Sequence, residues 1–271
     1  MISFLFWNIN QKPIQKLIAK ISASYDIDIL MFAENSIDID ELLSILNNSD
    51  SSDYFYAPGI GCQKIQIFSR FSEDFIRPLY ESSDLTIRYL NLPGLMDILL
   101  AVNHFPSKLY WDETSQLIEC TKLNNSILDA EKQIGHSRTI LIGDFNMNPF
   151  ENGVISSGGL HGVMSRNIAL RGKRIVKNKE YRFFYNPMWN FFGDTSPGPS
   201  GTYYYEKSVH KVFFWNIFDQ LLIRPDLLAY FNNEDLKIIT SIEDINLLDK
   251  NGFPNRKKSS DHLPIVFKLS I

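Results

Sequence analysis

Several apolar runs in this chain end in a side chain of the kind that binds a hard cation or moves a proton. "FLFW" is followed by Asn8 and Asn10, "IDILMFA" by Glu34, "DILLAVN" by His104 and "TILIG" by Asp144 and Asn146. "SSDHLPIVF" sets Asp261 and His262 just before a last apolar run. Each alone has an ordinary explanation as a cap, a turn residue or a solvated acid. Brought to one rim, they would form an oxygen-rich cluster beside two imidazoles. Asp, Glu and Asn oxygens suit Mg²⁺ or Mn²⁺, which favour octahedral oxygen sites and work with phosphate oxygens. Histidine can hydrogen-bond a phosphoryl oxygen or exchange a proton near neutral pH. The two cysteines, Cys62 and Cys120, lack metal-ligand spacing and the chain has no His-Glu-x-x-His run, which argues against a dedicated zinc site. The chemistry these residue types point to is metal-assisted hydrolysis.

For such residues to meet, the apolar runs must be strands whose ends share an edge. Short apolar runs bounded by turn residues predict strands over 2–7, 27–33, 54–57, 65–69, 85–90, 96–103, 139–142, 211–218, 235–239 and 264–269. Helical spacing of Ile14, Leu17, Ile18 and Ile21 predicts a helix over 13–25, with others over 39–46 and 112–133. More short strands than βαβ alternation supplies argue for packed sheets with outer helices. A doubly wound sheet is the rival, but the chain has no Gly-x-Gly-x-x-Gly turn.

With 271 residues and 44% hydrophobic content, the chain can bury a large core, and no linker divides it, so one domain over 1–271 is expected. A formal charge of −4 predicts no global attraction to nucleic acid or to an anionic membrane. The apolar N-terminal run lacks a basic flank and a cleavage site, and no run approaches the roughly 18 apolar residues of a membrane span. The expectation is a soluble, cytoplasmic, monomeric protein with reduced cysteines and no stable membrane association.

The series "FWNIN", "AENS", "SRF", "VNHFPSK", "IGDFNMNP", "FDQ" and "SSDHLPI" resembles the endonuclease/exonuclease/phosphatase, or DNase I-like, superfamily over essentially the whole chain. The resemblance implies an α/β fold, a four-layer α/β/β/α sandwich of two packed, mainly antiparallel mixed sheets with outer helices. It makes Glu34 the main metal ligand, with Asn8 beside it and Asn10 and Asp261 as further candidates. Asp144 would orient or deprotonate the attacking water, and Asn146 would hold the phosphate. His262 and His104 would hydrogen-bond the non-bridging oxygens, Asp219 in "FDQ" would polarise a histidine, and Arg70 would support the site. Tyr110 is the candidate for a tyrosine often found in abasic-site endonucleases. The implied activity is Mg²⁺- or Mn²⁺-dependent attack of water on a phosphodiester.

The strongest local charge feature is the segment 166–182, in which Arg166, Arg171, Lys173, Arg174, Lys177, Lys179 and Arg182 face one acid, Glu180. Such a run is either a solvated surface or a phosphate-contacting arm, with Arg171, Lys173, Arg174 and Lys177 as its candidates. An aromatic-rich stretch follows, and together they read as a substrate-facing insertion at about 164–205. This favours nucleic acid as the partner over a small or lipid phosphate, and family association favours DNA over RNA. A catalytically inactive nucleic-acid-binding or interaction domain is the reading from a different class.

Overall fold

Every residue of Ile2–Asn8, Ile29–Ala33, Ile98–His104 and Thr139–Asp144 is buried, so these runs are strands covered on both faces. A sheet face can be hidden in that way only by a second sheet or by a layer of helices. The computed structural model describes residues 1–48, 53–109 and 111–271, and Tyr110 lies outside them.

In chain order the strands begin with β1 (Ile2–Asn8), β2 (Ile29–Ala33), β3 (Phe55–Ala57), β4 (Ile65–Ser69), β5 (Ile76–Glu81), β6 (Leu85–Leu90) and β7 (Ile98–His104). There follow β8 (Thr139–Asp144), β9 (Gly162–Val163), β10 (Lys173–Val176), β11 (Lys179–Arg182), β12 (Phe184–Tyr185) and β13 (Tyr203–Tyr205). The last are β14 (Phe214–Asn216), β15 (Asp219–Ile223), β16 (Lys237–Ile238), β17 (Ser241–Ile242), β18 (Ile245–Asn246) and β19 (Ile265–Leu269). The main helices are α1 (Gln15–Tyr25), α2 (Ile39–Leu46) and α3 (Glu113–Ile134). The Asp38 and Asp112 side chains accept backbone N–H groups at the starts of α2 and α3, and Gly135, with φ 85°, closes α3 in the left-handed conformation.

A six-stranded sheet, β16-β19-β1-β2-β4-β3, packs on a seven-stranded one, β5-β6-β7-β8-β15-β12-β9. Both are mixed and mainly antiparallel, with β1–β2, β7–β8 and β9–β12 as the parallel pairs. Phe4, Phe6 and Met31 from one sheet meet Leu100, Val102, Ile142 and Leu221 from the other in the central core. Leu17, Ile18, Ile21 and Leu42 of α1 and α2 cover the outside of the first sheet, and Cys120, Leu123 and Ile127 of α3 cover the second. The layers are therefore α/β/β/α. Both cysteines are buried and free, and burial pushes the Cys62 thiol up to about 11. Among the described residues no helix is long and apolar enough to cross a membrane.

Strand direction decides which end of each strand meets which. Parallel pairing aligns Asn8 with Ala33, the residue before Glu34, and His104 with Asp144. Antiparallel pairing sets Asp219, the first residue of β15, opposite Asp144. β19 runs antiparallel to β1 with Ile265 opposite Phe6, so the Asp261–His262 lead-in arrives at the same rim.

Three expectations change. The strand expected over 211–218 shortens to β14, which ends where the Ile217 N–H is captured by Asn148 Oδ1 at 2.9 Å, and β15 follows from Asp219 to Ile223, where none was expected. β5 was not expected, because Pro78 interrupts its run, the register shifts between Pro78 and Tyr80, and only Ile76 of this edge strand is fully buried. The segment 164–205 is not one insertion: β12 belongs to the seven-stranded sheet and β13 forms a hairpin with β14.

Gly143 is set by close packing. A Cβ there would lie 2.0 Å from the Asn103 carbonyl oxygen, so a larger residue would push β7 and β8 apart beside the rim. Gly143→Ala is expected to lower the unfolding free energy by about 2–3 kcal/mol, read from the shift in urea midpoint.

Candidate active site

Asn8, Glu34, His104, Asp144, Asp219 and His262 come together at the rim from six separate places in the chain. Asp144 and Asp219 lie almost wholly out of water on neighbouring strands, with relative exposures of 1% and 0%. The Asn8 amide nitrogen donates to Glu34 Oε1 at 3.2 Å and to Asp144 Oδ2 at 3.0 Å, tying the two carboxylates together. Its oxygen accepts the Asn10 N–H at 3.0 Å, so in this arrangement Asn8 faces the carboxylates as a donor. His104 Nε2 stands 3.2 Å from Glu34 Oε1 and 3.8 Å from Asp144 Oδ2. The hydrogen bond from His104 is the main reason the Glu34 carboxyl is lowered to about 2, with Asn8 adding to it against burial.

His262 is held on several sides. Its Nδ1 meets Asp219 Oδ2 at 2.8 Å, and its backbone oxygen accepts the Trp7 indole N–H at 2.8 Å. Its backbone N–H donates to Ser260 Oγ at 3.1 Å, and Tyr203 packs on its ring at 4.7 Å. Nε2 points toward Asp144 Oδ2, 3.8 Å away. Burial disfavours a charged imidazole, but Asp219 and Asp144 outweigh it and push His262 up to about 10. Burial raises the Asp144 carboxyl, and the His262 cation acts against that.

Around this centre, Asn10 Nδ2 donates to Asp261 Oδ1 at 2.8 Å, and Ser260 Oγ donates to the Asn8 carbonyl at 2.7 Å. The Asn146 N–H donates to Asp144 Oδ1 at 2.8 Å, and its side-chain N–H to the Phe105 carbonyl at 2.8 Å. Asn10, Glu34 and Asn146 all have φ between 45° and 50°. The left-handed region costs a glutamate more than an asparagine, and backbone strain of this kind concentrates at functional sites. Three buried polar atoms here have no hydrogen-bond partner among the described residues: Asn103 Oδ1, His104 Nδ1 and Asp219 Oδ1.

Two groups of expected site residues lie elsewhere. Arg70 follows β4, whose antiparallel pairing places Ser69 beside Ile29, at the end of β2 away from Glu34. Four residues of strand, about 13 Å, separate it from the rim. It pairs instead with Asp26 and Asp28, and closes that far end of the sheet. Lys173, Arg174 and Lys177 belong to an exposed hairpin, β10–β11, turned by Lys177 and Asn178 with φ 46° and 63°, and the exposed Arg171 stands two residues before it. Its base is fixed by Arg182 to Glu131 and Ser137, next to the start of β8. Since Asp144 is the last residue of β8, the hairpin stands at the opposite end of the sandwich from the rim. The aromatic stretch does reach the site, through Tyr203 on His262.

Sequence reasoning missed Tyr203, Trp7 and Ser260 as supports of His262, and Asn103 beside Asp144. Ser260 alone left a signal, in the "SSDH" run; the others stand among apolar or aromatic neighbours and look like core.

Two mixed sheets packed face to face between helices, with a polar rim at the ends of the central strands, define the DNase I-like, endonuclease/exonuclease/phosphatase fold. The chain is similar to an endonuclease/exonuclease/phosphatase family protein from Leptotrichia buccalis C-1013-b, at 16% identity and a TM-score of 0.57, covering 100% of both chains. It is also similar to an AP endonuclease from Archaeoglobus fulgidus, at 15% identity and a TM-score of 0.56, again covering 100% of both. A third similar structure is D. rerio TDP2 complexed with single strand DNA product, at 16% identity and a TM-score of 0.56, covering 98% of this chain and 97% of that one. No family model and no curated protein matches the sequence.

A group whose folded pKa is raised stabilises the fold fully below its unfolded pKa and loses that contribution as pH rises through the folded value. For His262 the window runs from the ordinary 6.5 up to about 10. The metal-free protein is expected to lose stability across that window in denaturant titrations, and Asp219→Asn to flatten the loss while moving the His262 NMR titration downward. Neutralising Lys173 and Arg174, far from the rim, is expected to leave the His262 NMR titration unchanged.

Proposed function

We propose that the chain is a divalent-metal-dependent phosphodiesterase that hydrolyses nucleic acid, DNA in preference to RNA. The observation that carries this is the rim itself, where Glu34, Asp144 and the Asp219–His262 pair converge with His104 and Asn8.

The residues fit a hard cation. Glu34 keeps about a third of its side chain open (34%), and Asp144 offers a further oxygen on the other side of the Asn8 amide. Carboxylates gathered this closely, together with an unpartnered Asp219 oxygen, suit Mg²⁺ or Mn²⁺. Asp144, Asp219 and His262 also lie close enough to share an ion, but all three are buried, whereas the Glu34 carboxylate is partly open. Glu34, with Asp144 joined to it through Asn8, is the better holder. A bound cation would neutralise charge growing on the phosphoryl oxygens and acidify a water.

The chain's own groups divide the remaining work. Asp144, fixed by Asn8 and by the Asn146 N–H, accepts a hydrogen bond from the attacking water and takes its proton. His262, protonated and oriented by Asp219, donates from Nε2 to a non-bridging oxygen, where negative charge develops in the transition state. His104 contributes a second donor next to Glu34. Asn146 keeps Asp144 in register through its backbone N–H, and its own side chain is held by the Phe105 carbonyl.

Glu34→Gln keeps the shape and most of the hydrogen bonds but removes the ligand charge. We expect Mg²⁺- or Mn²⁺-dependent cleavage to fall by about 10²–10³-fold with an unchanged circular dichroism spectrum. The assay compares single-stranded, duplex and abasic DNA, RNA and a phosphomonoester. Equal turnover by the variant would overturn the assignment, and a preference for the phosphomonoester would overturn the substrate class.

A further inference from the structure

A groove of about 1500 Å³ opens next to the rim, outside the cluster described above. Its walls are the first turns of α1, residues 204–207 after Tyr203, and the loop 244–258 that leads into Asp261 and His262. Both of the nearer walls start at the site: Tyr203 forms a β-bridge with His262, and Arg256–Lys258 stand a few residues before it. The volume exceeds the roughly 300–1,000 Å³ of a small-molecule pocket, so the groove suits part of a longer ligand.

The charge of the groove runs against that of the chain. Seven lysines and arginines line it with three carboxylates, in a protein of formal charge −4. Lys16 and Lys20 are one helical turn apart on α1, and Lys20 is taken up by Glu243 at 2.8 Å. Lys207, Lys250, Lys257 and Lys258 have no carboxylate within ion-pair distance among the described residues. The cations outnumber the three carboxylates of the groove, and these four remain open to an anion.

The aromatic lining adds a second requirement on the ligand. Tyr204 stacks on Phe253, with centroids 3.7 Å apart and planes 14° apart, and meets Trp215 edge-on, which makes one wall rigid. Arg256 fastens the facing loop to that wall through the Tyr204 carbonyl at 2.9 Å. The half-exposed Tyr205 remains beside Lys207, whose Nζ lies 5.7 Å from the ring centroid. Cations that follow a backbone beside an aromatic face are what a single strand uses, because its unpaired bases can stack. A duplex turns its bases inward and presents none to Tyr205. The hairpin of Lys173 and Arg174 also carries positive charge, but it is exposed and stands at the far end of the molecule.

Resting on the phosphodiesterase assignment, we propose that this groove holds the single-stranded polynucleotide segment flanking the scissile phosphate. Binding is measured without hydrolysis, in chelator, by fluorescence anisotropy of labelled ten-nucleotide single-stranded DNA, the matching RNA and a duplex. A combined Lys250→Ala, Lys257→Ala and Lys258→Ala variant is expected to bind the single strand at least tenfold more weakly than wild type. The slope of log K against log salt should become shallower by about 2, from about 0.7 for each lost phosphate contact on a single strand. A Lys173→Ala, Arg174→Ala variant should bind like wild type. The inference is overturned if the triple variant keeps wild-type affinity and slope, if the duplex binds as tightly as the single strand, or if wild type binds no oligonucleotide. The DNA and RNA arms show which sugar the groove accepts. Metal-dependent hydrolysis of bis(4-nitrophenyl) phosphate, and its loss in Glu34→Gln, tests the catalytic assignment separately, so either can fail alone.

Discussion

Asp144 and Asp219 face each other on adjacent strands, and neither has water to dissolve its charge. Two carboxylates so placed cost several kcal/mol each unless something positive and several donors join them. His262 provides the positive charge, bonded to Asp219 and 3.8 Å from Asp144, and Asn8 provides the donor. Asp144 and Asp219 lie on the seven-stranded sheet, whereas His262 and Asn8 come from the six-stranded one. Charge compensation therefore happens across the sandwich, and the two sheets can close at this end only in the arrangement that also assembles the site.

The supports around His262 follow from that demand. A cation deep in a low-dielectric interior gains from a fixed neighbour and loses from a loose one. Trp7 holds its carbonyl, Ser260 its backbone N–H, Asp219 one ring nitrogen and Tyr203 one ring face, leaving Nε2 as the free donor. Unpartnered polar atoms at the same rim, His104 Nδ1 and Asp219 Oδ1, show that the protein does not satisfy every group there by itself. Buried polar groups are otherwise nearly always paired, so these exceptions set the rim apart from the rest of the core.

The opposite end of the sandwich has its own buried charges and a different task. Glu131 joins Arg224 at 2.8 Å, Arg182 at 3.2 Å and Thr139, locking α3 to the starts of β8 and the basic hairpin. Arg70 performs a similar closing role for β2 and β4 with Asp26 and Asp28. These basic residues are structural clamps, so a motif with the right residue types contributes to chemistry only when strand direction delivers it to the rim.

Much of this was legible in the residues. Apolar runs long enough to be covered on both faces implied packed sheets, and polar residues just past them marked Asn8, Glu34, His104, Asp144 and His262, because a strand buried in its middle can expose function only at its ends. Local chemistry sufficed there. The sequence did not determine which strand ends would share a rim, since that depends on pairing direction, a property of two segments rather than one. Antiparallel β2–β4 sent Arg70 away from Glu34, and the path of the chain to β12 sent Lys173 and Arg174 to the far end. The break before Asp219 was equally hidden, because it depends on Asn148, distant in sequence, capturing one backbone N–H. Residue type and spacing set what chemistry was available; long-range pairing and the compensation of buried charge decided where it could occur.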